Sequence, residues 1–142
     1  MLFSDDRKQL RDQFRVAWKK KLAGETLEPL DKQIATLIEE HPWYHGLMLQ
    51  DDDVLDQDFT HEHANENPFL HLSLHLALRE QVGTDRPNGI RGITRSLLLK
   101  HQDGHEVEHR MMACLGEFLW DAQRQGVAPD EMAYLERLKE LL

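Results

Sequence analysis

The sequence predicts an all-α fold, a single-domain bundle of five or six helices. Three observations carry that expectation. Apolar residues recur every three or four positions in most segments. The one strictly alternating stretch is built from residues that favour helix over strand. Proline, glycine, asparagine and aspartate stand where helices begin and end. With 142 residues, 40% of them hydrophobic, the chain has enough material for one ordinary core.

The first helix is expected from Ser4, an N-cap followed by Asp5 and Asp6, where the helix dipole favours acids. Leu10, Phe14, Trp18 and Leu22 form its apolar stripe. Lys19, Lys20 and Lys21 crowd its end and Gly24 stops it; the lysine run reads as a solvated helix end rather than a nucleic-acid or membrane patch. Pro29 suits the first turn of a second helix, with Leu30, Ile34, Leu37 and Ile38 as its stripe. His41-Pro42 ends or kinks it, because proline removes a donor and disfavours helix in the residue before it. Pro42 can open a further turn carrying Trp43, Tyr44 and His45.

Residues from about 50 to 66 are polar and acidic and read as the longest loop. Its aspartates lack the glycine and closing glutamate of a calcium-binding loop. Asn67-Pro68 is a cap and first-turn pair. After it, Leu70, Leu72, Leu74, Leu76 and Leu78 alternate as in a strand. The segment from Phe69 to Gln81 also carries Ala77, Arg79, Glu80 and Gln81, good helix formers, and has no β-branched member, so helix is the better reading. A turn-rich stretch from Gly83 to Gly92 leads to a short helix with Ile93, Leu97 and Leu98. A long helix from about His105 to Gln125 follows, its core face being Val107, Met111, Leu115, Phe118 and Ala122, and Gly126 ends it. The last helix opens at Pro129-Asp130-Glu131 and carries Met132, Leu135, Leu138 and Leu142. Trp43 with Tyr44, and Trp120, read as core anchors.

Composition excludes several roles. The formal charge is −9, from 26 acids against 17 bases, the wrong sign for a binder of nucleic-acid backbones. No stretch approaches the ~20 apolar residues of a membrane span. The N-terminus lacks the order of a signal peptide, and the expected location is the cytoplasm. The single Cys114 rules out an internal disulfide and any cysteine-built zinc site, and it reads as an inert thiol beside the core. No phosphate loop or G-x-S-x-G motif occurs. Arg79, Arg86 and Arg91 form a candidate anion-binding set, explained equally by ion pairs.

Histidine is the unusual feature. Residues i and i+4 of a helix share a face, so imidazoles at that spacing can grip one ion. Nine scattered histidines give about half of one such pair by chance. Here there are four: His41/His45, His71/His75, His101/His105 and His105/His109. Pro42 weakens the first and Asp103-Gly104 interrupts the third, leaving His71/His75 and His105/His109 as the sound pairs. The expectation is a metal site between these two helices, holding zinc or iron, with His41 or His45 as further ligands. Glu108 is another candidate ligand. It falls on the apolar face of its helix, where a carboxylate needs a partner.

Two other readings compete. The histidines can be structural, in a helical module that binds a protein partner and no ligand. Alternatively, His105-Glu106-Val107-Glu108-His109 matches H-E-x-x-H, the motif of metal-dependent hydrolases in which a residue such as Glu106 is the general base. The third ligand would come from Glu117, Glu131, Glu136, His71 or His75. A ferritin-like di-iron centre needs a second Glu-x-x-His motif on another helix, and none is found.

Several stretches resemble one family. They are Asn67-Pro68-Phe69-Leu70-His71 through His75 to Arg79-Glu80-Gln81, Asp85-Arg86-Pro87 with Gly89-Ile90, and His105-Glu106 through Glu108-His109 to Cys114-Leu115-Gly116-Glu117. Taken together they resemble the bacterial domain-of-unknown-function family 1841 over nearly the whole chain, most specifically in the 67–81 and 105–120 blocks. The resemblance implies a small bacterial protein and carries no activity to transfer.

Overall fold

A computed structural model of the chain describes residues 2–51, 53 and 67–142. The regular structure among them is helical: α1 (Leu2–Leu22), α2 (Pro29–Glu39), a 3₁₀ turn (Pro42–Tyr44), α3 (His45–Met48), α4 (Pro68–Thr84), α5 (Ile90–His101), α6 (Gly104–Gln125) and α7 (Glu131–Lys139). The all-α class is borne out, with seven α-helices among the described residues rather than five or six. The difference is α3, a single turn that opens straight after the 3₁₀ turn at Pro42. Most of the acidic stretch of 50–66 lies outside the described residues. Among the described residues no helix is long and apolar enough to cross a membrane.

The chain divides into two compact units, Met1–Ser73 and Leu74–Leu142, and the division falls inside α4. In the first unit α1 lies against α2. The buried apolar side chains there include Phe14, Ala17, Trp18, Ile34, Leu37, Ile38, Met48, Phe69 and Leu72. The stripe expected on α1 is rotated. Leu10 and Leu22 are exposed, while Arg11 and Arg15 are buried beside Phe14 and Trp18. Arginine at these positions is tolerable because its groups are engaged. The Arg11 guanidinium lies over the Phe69 ring, 5.0 Å from its centre, and Arg15 donates to the Gln50 carbonyl. Ser4 lies inside α1 and does not precede it. Trp43 is exposed, and only its neighbour Tyr44 is a buried anchor.

The second unit packs α5, α6 and α7 against one another, with the C-terminal part of α4. Its core comprises Leu74, Leu78, Ile90, Ile93, Leu97, Val107, Met111, Met112, Leu115, Phe118, Tyr134, Leu135 and Leu138. All five residues expected on the core face of α6 are buried. On α7 the core member that periodicity overlooked is Tyr134. Its ring stacks on Phe118 at 5.1 Å, and its hydroxyl donates to Gln81 Oε1 at 2.7 Å. Burial pushes the Tyr134 phenol well above its ordinary pKa. Met132, Leu98 and Trp120 are exposed, against expectation, because the buried faces of their helices turn elsewhere, and Leu142 is exposed beyond the end of α7.

Helix ends are capped as the punctuation implies. Asn67 Oδ1 accepts from Leu70 N, Asp103 accepts from the amides of His105 and Glu106, and Asp130 accepts from those of Met132 and Ala133. Gly126 closes α6 at φ +67°, a left-handed conformation that costs glycine little.

Candidate metal centre

Helix α4 carries the strongest chemistry. Its leucines fall all round the helix, so burial is decided by packing and not by an apolar stripe. The outcome is notable: Leu70 is 43% exposed, whereas His71 is 7% and His75 1% exposed. The two imidazoles lie one turn apart, with Arg79 one turn further on.

His71 meets a second histidine within the first unit. His41, fully buried, stands between the end of α2 and the 3₁₀ turn, where Pro42 breaks the helix. Its Nδ1 is 2.6 Å from the carbonyl of Leu37. A carbonyl only accepts, so His41 carries its proton on Nδ1 and turns the lone pair of Nε2 outward. That Nε2 lies 3.2 Å from Nε2 of His71. The His41 ring is held by stacking on Tyr44 at 5.5 Å and by the edge of Trp43 at 5.2 Å. Burial raises the pKa of the Tyr44 phenol, outweighing a hydrogen bond with Trp43 that lowers it.

His75 has its own surroundings in the second unit. Its Nε2 donates to Glu108 Oε2 at 3.1 Å. The same carboxylate is gripped by Arg79 through two bonds, Nε to Oε2 at 2.9 Å and Nη2 to Oε1 at 3.1 Å. Glu108 is half-buried. Burial alone would raise its pKa, but hydrogen bonds and charge from His75 and Arg79 prevail and hold it down to about 2. The rings of His75 and His109 meet edge to face at 5.9 Å. His109 also contacts His105 at 4.0 Å.

The other candidates are placed differently. His45 donates from Nε2 to the Ile38 carbonyl at 2.8 Å and packs on Trp18, which is a structural engagement. His105 is exposed at the start of α6. The His101/His105 pair is broken where Gln102 turns left-handed at φ +58° and Asp103 caps the next helix. Glu106 is exposed and bound by Arg110 at 2.6 Å. Glu108 has the partner its position called for, and that partner was Arg79. The spacing held a signal for it, because Arg79 continues the His71/His75 series by one more turn. Arg91 is spent on the carbonyls of Val82 and Gly83 at the end of α4. Cys114 is half-buried, and its thiol pKa is raised, chiefly by burial.

A family model described as a domain of unknown function (DUF1841) matches residues 6–140. The chain belongs to this family. The match covers the 67–81 and 105–120 blocks on which the resemblance rested. No curated protein and no solved structure matches the chain.

Proposed function

We propose that the turn of α4 bearing His71 and His75 is a transition-metal centre, with His41 and His109 supplying the other ring nitrogens. All four belong to one group of residues able to offer an ion a ligand atom each. The observation that carries the reading is the His41–His71 contact. Tetrahedral zinc with nitrogen at 2.0–2.1 Å has ligand atoms about 3.3–3.4 Å apart. The two Nε2 atoms stand at 3.2 Å, and the carbonyl of Leu37 already fixes His41 in the tautomer a metal needs. An all-imidazole set suits zinc, iron, nickel or copper and disfavours magnesium or calcium.

The hydrolase reading draws less support. Glu106 is exposed and paired with Arg110, and His105 is exposed at the helix start. The chemistry is therefore taken as metal binding, without a reaction assigned.

Tag-free protein purified without chelator is expected to contain close to one equivalent of a first-row transition metal by elemental analysis. H71A and H41A are expected to fall below about a tenth of an equivalent, while H45A and H105A keep the metal. Equal metal content in H71A and wild type overturns the proposal.

A further inference from the structure

The pairing of Arg79, Glu108 and His75 bears on how such a centre is tuned, and the inference rests on the metal reading above. We infer that Glu108 is a positioning residue and not a ligand. Held by Arg79, it fixes the His75 tautomer and aims Nδ1 of that ring at the ion.

The argument is geometric. A carboxylate accepts and does not donate, so His75 Nε2, at 3.1 Å from Glu108 Oε2, carries the proton. The lone pair of the neutral ring then resides on Nδ1. Glu108 itself is not free to swing toward an ion. Its two oxygens are clamped by two guanidinium bonds, and Oε2 also receives the imidazole proton. A ligand histidine whose second nitrogen is bonded to a carboxylate is a recurrent outer-shell arrangement, and its loss typically costs 10–100-fold in metal affinity. His41 uses a backbone carbonyl for the same purpose. At His75 a carboxylate takes that place, and Arg79 keeps the carboxylate where it is needed.

The test has two readouts. Long-range proton–nitrogen correlation on the metal-free protein reports the tautomer of His75, assigned by its disappearance in H75N. Titration with Zn²⁺ alone, under competition with a chromophoric chelator, reports affinity and stoichiometry. In wild type His75 is expected as the Nε2–H form. In E108A that preference is lost and Zn²⁺ affinity falls 10–100-fold with one ion still bound. E108Q, whose amide oxygen can still accept, recovers part of both and serves as well if E108A folds poorly. An unchanged His75 tautomer in both variants overturns the inference whatever the metal does. Loss of the ion from E108A as complete as from H75A overturns it too, because Glu108 would then be a ligand. If wild type binds no Zn²⁺ while E108A still shifts the tautomer, the positioning role stands and the metal reading falls.

Discussion

At the scale of single residues, a histidine is defined by what its second nitrogen touches. His41 and His45 are four positions apart and look alike in sequence. One donates from Nδ1 to Leu37 and leaves Nε2 beside His71; the other spends Nε2 on Ile38 and packs on Trp18. Spacing alone cannot separate them, because the distinction lies in the chain direction after Pro42. Glu108 was more legible: a carboxylate on an apolar face announces a cationic partner. Its depressed pKa has a measurable consequence. A group with a pKa lowered from 4.5 to about 2 on folding adds stability that is present above pH 4.5 and lost as the pH falls toward 2. The gap in unfolding free energy between wild type and E108Q is therefore expected to shrink by roughly 2–3 kcal/mol between pH 5 and pH 2. Urea unfolding across that range checks it, and a gap that does not change with pH contradicts it. Tyr134 makes a second residue-level case. Y134F removes the bond to Gln81 and is expected to cost about 1 kcal/mol in the same assay.

At the scale of elements, α4 shows how propensity and pattern can disagree. Alternating leucines suggest a strand, yet leucine, alanine, glutamine and arginine lose little freedom in a helix, and a cap at Asn67 starts one. The helix forms, and its leucines then spread round the axis. The α5–α6 junction is a sharp boundary. Gln102 takes the left-handed conformation and Asp103 satisfies two amides of the next helix. D103A is expected to lower stability by about 1 kcal/mol, the usual cost of an N-cap, and Q102G to raise it by a few tenths by relieving a side chain at positive φ. Thermal or urea melts of both variants decide this. A stabilised D103A contradicts the capping role.

At the scale of the whole molecule, each unit has its own set of buried apolar side chains, and α4 contributes to both. An ion held by imidazoles binds the folded chain far better than the unfolded one. Mass action then predicts that Zn²⁺ at 100 times its dissociation constant stabilises the fold by about 2.7 kcal/mol, and that a chelator reverses the effect. Calorimetric scans with Zn²⁺, and again after excess chelator, measure it. H71A is expected to show no metal-dependent shift.

Sequence by itself determined the helical class, the helix ends at Asn67 and Gly126, the core face of α6 and the two sound histidine pairs. These are local properties, set by propensity, by period and by the hydrogen-bonding needs of helix ends. Tertiary structure decided which faces were buried: the arginine side of α1, Tyr134 in place of Met132, and the histidines of α4 in preference to Leu70. It also decided that His71 meets His41 and that Glu108 meets Arg79 and His75. Partners from distant parts of the chain leave no period behind, since only the packing of whole helices against one another brings them within reach.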